Sequence, residues 1–593
     1  MMFIPTTSKE MKELGWDRLD IILITGDAYI DSPFIGVAVI GKILLDAGYR
    51  VGIIAQPDRG SGDDISRLGE PRLFWGVTGG CIDSMVANHT ATGRKRKRDD
   101  YTPGNINNRR PDRAAIVYSN LIRTHFKKTR PIVLGGIEAS LRRIAHYDFW
   151  SDTVRRSILF DAKADYLLYG MADRSVVELA ACLKSGDDPR KIRGICYMSP
   201  TIAEGCLELP SFEYAAQDKG AFTEMFRLFY RNNDPITALP LAQQQDNRYL
   251  IQTPPAYTLT SGELDAVHDL NYERDVHPYY RDQGEVKALE TIGFAIETHR
   301  GCYGECNFCA ITVHQGRTVT SRSRASILNE ARAFTLHPRF KGIIQDVGGP
   351  TANMYGIDCV RKEKEGCCRN KRCLFPKMCS ELTINHGQQI SLLKALRVVE
   401  GVKKVFIASG IRHDLILADK KHGTDYLKQV IRYHVSGQMK LAPEHSETHV
   451  LHRMGKSGRE TLSKFRDLFF DLTKRGGKKL FLTYYLIAAH PGCTEDDMAN
   501  LRSFVLGDLQ SLPEQVQIFT PTPSTWSTLM YWTERDPFTG KPCFVEKTTR
   551  GRERQKEIMA DRRTKKPQTD WPRTKKQGTN FHSKHKMKER YRI

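Results

Sequence analysis

Short apolar runs alternate with helix-length amphipathic stretches along the first third of the chain. The runs DIILIT at 20–25 and RVGIIA at 50–55 are rich in β-branched residues and predict strands. The stretch 33–47 between them has the length of a helix, so this part predicts a β-α-β unit with parallel strands and a right-handed crossover. Further strands are predicted at 114–118, 131–134 and 165–169. Residues 1–200 are therefore expected to form a doubly wound α/β domain.

The alternation fades after this segment and returns later in the chain. Residues 201–288 are interrupted by prolines and predict a linker with some packed helix, best placed at 219–231. Between residues 289 and 535 six strands separated by helix-length segments predict a partial β/α barrel. These strands are expected at 293–297, 342–345, 404–408, 438–441, 479–487 and 515–519.

The charge of the chain is concentrated at its end. The 593 residues carry 90 Lys and Arg against 69 Asp and Glu, a formal net charge of +21. Residues 547–593 alone hold 17 basic and 5 acidic residues. Because this region has few apolar residues, 536–593 is predicted to be a disordered basic C-terminal tail.

A basic tail with aromatic residues has two interpretations. Trp571, Phe581 and Tyr591 lie among the lysines and arginines, a pattern that suits RNA binding by phosphate contacts and stacking. Alternatively, the tail serves solubility or proximity to ribosomes, and the substrate is a small molecule or a peptide. A second basic run, RKRKR at 94–98, is either a solvated loop or a phosphate contact.

No stretch of about 18 uncharged apolar residues occurs, and the N-terminus lacks the pattern of a secretory signal. We therefore expect a cytoplasmic protein without membrane association. In a reducing compartment the fourteen cysteines are expected to be free thiols or metal ligands. Eight of the fourteen lie between Cys302 and Cys379.

The sharpest chemical pattern is a loop with the spacing C-x3-C-x2-C, formed by Cys302, Cys306 and Cys309 directly after the first predicted barrel strand. Three thiolates within eight residues suit a soft metal or an iron–sulfur cluster, and the missing fourth ligand leaves one iron open. Gly301 and Gly304 allow the loop to fold tightly. The alternatives are three buried structural thiols or a zinc site with three protein ligands.

This loop resembles the one that defines the radical S-adenosylmethionine (radical SAM) superfamily. The resemblance implies that Cys302, Cys306 and Cys309 hold a 4Fe-4S cluster whose open iron takes the amino and carboxylate groups of SAM. Reduction then cleaves SAM to methionine and a 5′-deoxyadenosyl radical that abstracts hydrogen. The resemblance also implies an electron donor such as flavodoxin or ferredoxin.

Other strand ends resemble the SAM-binding positions of that superfamily. In the proteins of that superfamily, the aromatic residue before the last cysteine lies near the adenine of SAM. A glycine pair after the second barrel strand contacts the SAM amino group. Here Pro350 replaces the acidic residue of that motif, so only backbone contacts are implied. A Ser/Arg position reaches the ribose or the carboxylate, and ordinary βα-loop chemistry is the alternative. The implied cofactor-binding residues are Phe308, Gly348, Gly349, Ser409 and Arg412.

The order of an α/β domain, a cysteine-bearing barrel and a basic extension resembles the uncharacterised YgiQ-type radical SAM family over essentially the whole chain. The N-terminal domain is similar to the cobalamin-binding α/β fold. Its turn at 26–36 lacks the histidine of the motif Asp-x-His-x-x-Gly, so histidine-ligated cobalamin is not expected. Substrate recognition or capping of the barrel is the alternative role.

A second group of cysteines follows the glycine pair in a polar and basic context. One interpretation is a second metal site, either zinc or an auxiliary iron–sulfur cluster. The other is a set of loop thiols, or a loop near the substrate that can be oxidised. The group consists of Cys359, Cys367, Cys368, Cys373 and Cys379.

The sequence thus predicts a radical SAM enzyme that uses a 4Fe-4S cluster and SAM, with RNA as one substrate class. The alternative is a non-catalytic iron–sulfur or zinc protein that binds RNA. Pro350 and the unmatched N-terminal turn are the observations that keep this alternative open.

Overall fold

The structure is a computed structural model that describes residues 3–511 and 515–560. A nine-stranded mixed sheet occupies the N-terminal part, and short parallel strands follow in the C-terminal part. The predicted tail from residue 561 onward lies outside the described residues.

Eleven strands and thirteen α-helices precede the first barrel strand. The strands are β1 (Ile21–Thr25), β2 (Val51–Ala55), β3 (Phe74–Thr78), β4 (Ile132–Leu134), β5 (His146–Asp148), β6 (Thr153–Arg155), β7 (Tyr166–Leu168), β8 (Ile195–Ser199), β9 (Leu207–Leu209), β10 (Leu241–Gln245) and β11 (Arg248–Gln252). The helices are α1 (Ser8–Glu13), α2 (Gly36–Asp46), α3 (Asp63–Ser66), α4 (Ser84–Asn88), α5 (Ala114–His125), α6 (Gly136–Leu141), α7 (Ile158–Asp161), α8 (Asp173–Ser185), α9 (Phe212–Gln217), α10 (Lys219–Arg231), α11 (Ser261–Asp269), α12 (Pro278–Arg281) and α13 (Leu289–Ile292).

The large sheet has the order β2-β1-β3-β4-β7-β8-β11-β10-β9. Its first five strands are parallel and follow the doubly wound order, which confirms the predicted α/β fold. Alternate residues of β1 face opposite cores: Ile22 and Ile24 pack into one, Ile21 and Leu23 into the other. The winding reverses between β1 and β3, and such a switch point opens a crevice at the carboxyl ends of the strands.

The sheet extends beyond the predicted domain boundary at residue 200. Strands β9, β10 and β11 lie in the segment 201–288, where the sequence predicts a linker. The amides of Gln243, Gln245 and Gln252 are buried in these strands, where each accepts a hydrogen bond from the 143–157 segment at 2.9–3.0 Å. Polar side chains at core positions hide the alternation by which a strand is recognised.

Residues 114–118 are not a strand but the first turns of α5. The buried residues of this helix, Ala114, Ala115, Tyr118, Ser119 and Ile122, recur with the period of a helix. A five-residue apolar run is too short to reveal that period. The sheet position next to β1 is taken instead by β3, which the sequence analysis does not predict.

The second half begins at β12 and contains nine short strands and eleven α-helices. The strands are β12 (Ala295–Glu297), β13 (His299–Arg300), β14 (Thr320–Ser321), β15 (Ile343–Ile344), β16 (Asp346–Gly348), β17 (Lys404–Val405), β18 (Gln438–Glu444), β19 (Phe481–Ala488) and β20 (Gln515–Ile518). The helices are α14 (Ile311–His314), α15 (Arg324–Thr335), α16 (Val360–Glu365), α17 (Gly387–Leu396), α18 (His413–Ala418), α19 (Gly423–Gln429), α20 (Thr448–Met454), α21 (Arg459–Arg475), α22 (Glu495–Gly507), α23 (Trp526–Thr533) and α24 (Thr549–Ala560).

Pairing among the barrel strands follows the order of the chain. β12 pairs in parallel with β16, and β15 with β17. A parallel bridge from Ile411 to Leu441 connects this part to β18, which continues through β19 to β20. Each of the six predicted strands is present, and helices separate them, which is the arrangement of a partial β/α barrel.

The helix α24 belongs to the segment 536–593 that the sequence assigns to the tail. Its Gln555 is fully buried: Oε1 accepts from the Ala489 amide at 2.8 Å, and Nε2 donates to the Cys493 carbonyl at 2.9 Å. Arg552 is also buried. One buried amide and one buried guanidinium therefore fix a strongly polar helix, which composition alone does not reveal. No helix in the described residues is long and apolar enough to cross a bilayer.

We predict that Gln555→Ala loosens α24, because it leaves the Ala489 amide and the Cys493 carbonyl without partners. Unpaired buried groups of this kind cost about 1–3 kcal/mol. Hydrogen exchange of the α24 amides should therefore become about 5- to 150-fold faster. The neighbouring exposed Lys556→Ala is the control, and equal exchange in the two variants would contradict this account of the docking.

Candidate functional site

The three-cysteine loop leaves the barrel at the carboxyl end of β12. The short antiparallel pair β13–β14 closes its base. Gly301 has a φ of +81°, and a Cβ there would lie 2.0 Å from the carbonyl oxygen of Thr318. Only glycine fits this turn, so the chain reverses tightly into Cys302.

The thiols of the loop gather around Gly304. A Cβ on this residue would lie 3.2 Å from Cys302 Sγ, 3.6 Å from Cys306 Sγ and 3.1 Å from a guanidinium nitrogen of Arg412. The Gly304 amide donates to Cys302 Sγ at 3.3 Å, a bond that favours the thiolate. The loop thus contains a cradle that any side chain at Gly304 would fill.

Burial and the neighbouring thiols raise the pKa of Cys302 and of Cys309, which favours their protonated forms in the absence of a cation. Burial raises the pKa of Cys302, and burial together with the neighbouring thiols of Cys306 and Cys302 raises the pKa of Cys309 to about 12. A bound metal reverses this preference because it takes the thiolate form. Arg412, with Nη1 3.7 Å from Cys306 Sγ, already places one positive charge there.

Arg412 is itself fixed by a carboxylate. Its guanidinium donates to both oxygens of Asp414, and it holds the pKa of that buried carboxyl well below its usual range. The rigid pairing keeps Arg412 aimed at Cys306. Arg412, which the sequence analysis assigns to SAM binding, thus lies against the Cys306 thiol.

A buried ionic network anchors the middle of the loop. Glu305 has a φ of +44°, and its carboxylate accepts from Arg317 and from the Tyr230 hydroxyl, each at 3.3 Å. Arg372 donates to the Glu305 carbonyl at 3.1 Å and to Asn307 Oδ1 at 2.6 Å. The strained backbone at Glu305 is thus held from two sides.

The second group of cysteines lies in the segment that supplies Arg372. Cys359 and Cys373 pack with Tyr303 in an apolar cluster. The Cys367 amide donates to Asp234 at 3.0 Å, so this cysteine lies in a different environment. Through Arg372 and the packing on Tyr303, the segment with the second group of cysteines holds the three-cysteine loop in place.

Across the described residues, no three or more Cys, His, Asp and Glu side chains are placed to coordinate a metal ion directly. This applies to both groups of cysteines. The two groups differ in their surroundings: Cys302 and Cys306 flank one cradle, and Cys309 interacts electrostatically with both. The donor chemistry and the cradle fit an iron–sulfur cluster at the first group, whereas the second group shows no shared cradle in the described structure.

A cavity of about 200 Å³ adjoins this loop at the ends of the next barrel strands. It is lined by three of the predicted cofactor-binding residues, Gly348, Gly349 and Ser409. A Cβ at Gly349 would lie 2.6 Å from the His299 carbonyl, so the glycine allows close approach of the two strand ends. Phe308, also predicted, packs between the large cores instead of lining this cavity.

Asp346 is a site residue that the sequence analysis does not identify. It accepts from the amides of Ala408 and Ser409 at 2.8 and 3.2 Å and from the Ser409 hydroxyl. Asp346 therefore ties β16 to the end of β17 and orients Ser409. Its position two residues before Gly348 at the end of an apolar strand was the available signal.

A larger cavity of about 410 Å³ opens at the switch point of the N-terminal sheet. Its walls include the ends of β1, β3 and β4, near Thr25, Thr78 and Gly135. The two cavities share a wall formed by Phe34, Glu297, Ile311 and Gln315. The carboxyl edges of both sheets thus face one region beside the cysteine loop.

A buried ionic group joins the two halves in this wall. Arg300 Nη1 contacts both oxygens of Asp173 at 2.9 and 3.0 Å, and Nε donates to Glu297 at 3.3 Å. Burial opposes ionisation of Glu297, but the hydrogen bond from His268 and the charge of Arg300 lower its pKa to about 2. Arg300 immediately precedes the cysteine loop, so this group sets the position of the loop.

Asp27, the charged residue in the turn after β1, is hydrogen-bonded to groups within the N-terminal domain. Asp27 accepts from Arg110 and from the Cys81 amide, each at 2.6 Å. In the described part of the chain, histidine lines the larger cavity only at His314, which comes from the barrel side. These residues do not fit a cobalamin held by a histidine of the N-terminal domain.

Comparison with known proteins identifies the relatives of this chain. The family model described as Radical SAM N-terminal matches residues 3–295. A UPF0313 protein of Fusobacterium nucleatum is 54% identical over 95% of this chain and 99% of its own length. The chain belongs to the UPF0313 family. Its recognition as a radical SAM protein from the sequence is thereby confirmed.

Other UPF0313 proteins are similar over nearly the same length. The protein of Thermotoga petrophila is 48% identical over 94% of this chain and 98% of its own, and that of Methanosarcina acetivorans is 45% identical over 94% and 78%. The family match at 3–295 spans all eleven strands that precede the barrel, β9 to β11 included.

Two solved structures are remotely similar to this UPF0313 chain. The radical SAM methyltransferase TsrM of Kitasatospora setae has 12% identity and a TM-score of 0.48 over 86% of this chain and 75% of its own. The cobalamin-dependent SAM radical enzyme OxsB has 13% identity and a TM-score of 0.49 over 90% and 58%. Nothing about the ligands of this chain follows from these likenesses.

We predict that the ionised Glu297 side chain stabilises the fold and that this stabilisation is lost in acid. Its folded pKa of about 2 lies below the ordinary 4.5, so its contribution is complete above pH 4.5 and is lost as the pH falls towards 2. Over that window the loss is roughly 3 kcal/mol. Glu297→Gln should flatten the fall in the free energy of unfolding, followed by urea denaturation from about pH 5 downward.

The exposed Glu290→Gln is the matched control, and it should leave the acid dependence as in the wild type. An unchanged slope in Glu297→Gln would show that this carboxylate is not ionised by its partners.

Proposed function

We propose that this UPF0313 protein is a radical SAM enzyme in which Cys302, Cys306 and Cys309 hold a 4Fe-4S cluster. The observation that carries the proposal is the cradle at Gly304, which is bordered by two of these thiols and by Arg412 at the carboxyl end of the first barrel strand. Cys302, Cys306 and Cys309 would hold the cluster, which would supply the electron for reductive cleavage of SAM. Because the loop offers only three thiolates, SAM itself would complete the coordination.

The chain's own residues would bind and orient SAM around this position. The Gly348 carbonyl already accepts from the amide and the hydroxyl of Thr298, so the backbone at Gly349, which borders the small cavity, is proposed to meet the amino group of SAM. Arg412 can neutralise a carboxylate beside Cys306. Ser409, held by Asp346, offers its oxygen towards a ribose, and the backbone at Phe308 is proposed to meet the adenine.

The shared wall between the cavities supports a substrate that approaches from the N-terminal domain. The walls of the larger cavity are mainly apolar, and Arg300 is neutralised by Asp173 and Glu297. A substrate that fills such a cavity would displace its water and so protect a reactive radical from side reactions. The N-terminal domain is therefore proposed to cap the barrel and to bind substrate.

Two partners complete the proposal. The enzyme needs a one-electron donor, and a flavodoxin or a ferredoxin has the required chemistry. RNA is proposed as the substrate class, since residues 561–593 contain 12 Lys and Arg against 3 Asp and Glu, with three aromatic residues among them.

Anaerobic reconstitution tests the central claim. We expect the wild type to take up iron and sulfide and, with dithionite, to convert SAM to 5′-deoxyadenosine and methionine. The triple variant Cys302→Ala/Cys306→Ala/Cys309→Ala should lose this conversion and the cluster absorbance, because all three thiolate ligands are gone. Chromatography of the products and metal analysis provide the readouts.

Cys379→Ala is the matched control in the second group of cysteines and should retain the conversion. Iron or zinc that remains on the triple variant would establish a second metal site, and a metal-free triple variant would exclude one. An intact cluster that neither binds nor cleaves SAM would contradict the proposed enzyme and favour a non-catalytic iron–sulfur protein.

A further inference from the structure

The basic run 94–98 and helix α24 lie together on one surface, although more than 450 residues separate them in the chain. We name this surface the basic platform and define it as residues 94–98, Trp150 and the exposed side of α24. We propose that the basic platform docks single-stranded RNA beside the mouth of the barrel. This inference deepens the proposed function, because it assigns the surface that would present the substrate.

The loop that carries the run has a fixed backbone. Its two sides pair at His89 and Lys95, and the Arg96 amide donates to the Asn88 carbonyl at 2.7 Å. The Asn107 side chain adds bonds to the carbonyls of Asn88 and Arg96 at 3.3 and 3.1 Å. A rigid loop that holds five cationic side chains outward loses little conformational entropy when an anion binds.

The charges of the run are largely uncompensated. All five basic side chains are exposed. Lys97 and Arg98 have neither an ion pair nor a side-chain hydrogen bond within 3–511 and 515–560. Within the run, Arg94 pairs with Glu553 at 2.9 Å, whereas Asp112 pairs with His89 at 2.9 Å and the adjacent, buried Asp99 pairs with Arg110 at 3.1 Å. Such a concentration of like charge favours a phosphate backbone as partner.

An aromatic side chain accompanies these charges. Trp150 is partly exposed, and its ring lies 5.6 Å from the His89 ring and 5.1 Å from Phe149. Base stacking on aromatic rings next to a basic track is how proteins hold single-stranded nucleic acid. An anionic lipid surface or an acidic peptide would use the charges but has no need of the indole face.

Helix α24 connects the platform to the cysteine site. Arg552 donates to the Ala91 carbonyl at 2.9 Å, next to the run, and Gln555 holds Ala489 and Cys493 at the end of β19. His490, between these two, lies with its ring 6.4 Å from that of Phe308 in the cysteine loop. An RNA bound on the basic platform would therefore lie near the carboxyl ends of the barrel β-strands.

Two further observations favour RNA. Helix α24 carries four basic and two acidic side chains and leads directly into the 12 basic residues of 561–593. Unpaired bases that can splay onto an aromatic ring are the ordinary state of RNA loops, whereas DNA is mostly duplex. The platform thus matches single-stranded RNA in both charge and stacking.

Fluorescence anisotropy with the reconstituted full-length protein tests the proposal, using a labelled oligouridylate of about 20 nucleotides as the probe. Lys97→Ala/Arg98→Ala should weaken binding and reduce the slope of log affinity against log salt by about 1–1.5, since each phosphate contact on a single strand contributes about 0.7. Trp150→Ala should weaken binding about tenfold with the slope unchanged, since stacking releases no counterions.

Lys127→Ala/Lys128→Ala is the matched control, because this exposed pair lies before the amino end of β4, whereas the basic run follows the carboxyl end of β3. It should bind RNA like the wild type. An equal loss in this control, or an unchanged affinity in both platform variants, would overturn the proposal. So would tighter binding of the corresponding oligodeoxyuridylate, or binding of anionic phospholipid vesicles without binding of RNA.

Parallel assays keep the two proposals separable. Cleavage of SAM by wild-type protein that does not bind the oligouridylate overturns the docking surface alone. RNA binding that responds to the platform variants, in protein that does not cleave SAM, supports the surface and overturns the proposed enzyme.

Discussion

The buried pairing of Arg300 with Asp173 and Glu297 is the constraint on which the rest of the site depends. It joins helix α8 of the N-terminal sheet to the first barrel strand, and the next residues are Gly301 and Cys302. Removing one partner would leave a buried charge uncompensated, which typically costs about 3–5 kcal/mol. The same three side chains therefore hold the two halves together and fix the starting point of the cysteine loop.

The ionic network around Glu305 continues this principle further along the loop. Arg317 donates to the carboxylate of Glu305 and Arg372 to its backbone carbonyl, and Arg372 comes from the segment with the second group of cysteines. A loop that must present three thiols needs a backbone that cannot relax around them, since misplacement by about 1 Å is costly in catalysis. The polar, cysteine-rich segment therefore has a structural role, the support of the three-cysteine loop, and this role requires no second metal.

The sequence was sufficient for features that depend on local pattern and insufficient for those that depend on distant partners. Six barrel strands and the three-cysteine loop follow from apolar periodicity and spacing, and family membership confirms the superfamily. Strands β10 and β11 were not predicted because Gln243, Gln245 and Gln252 occupy core positions, where amides that accept hydrogen bonds replace apolar side chains. Asp346 and Glu305 escaped for the same reason: their partners lie in other elements, and no local spacing encodes such bonds.

The fold also brings the basic regions of the chain close to the cysteine loop. In the sequence, the basic residues are concentrated in a loop near residue 96 and in the tail after residue 547. Both regions are far along the chain from the cysteine loop near residue 305. In the fold, Gln555 fastens the beginning of that tail to the end of β19, and Arg552 fastens it to the basic loop. Burying an amide and a guanidinium is costly unless they are hydrogen-bonded, and the bonds of Gln555 and Arg552 offset that cost. The position that these bonds secure is the end of β19, where His490 lies with its ring 6.4 Å from that of Phe308 in the cysteine loop.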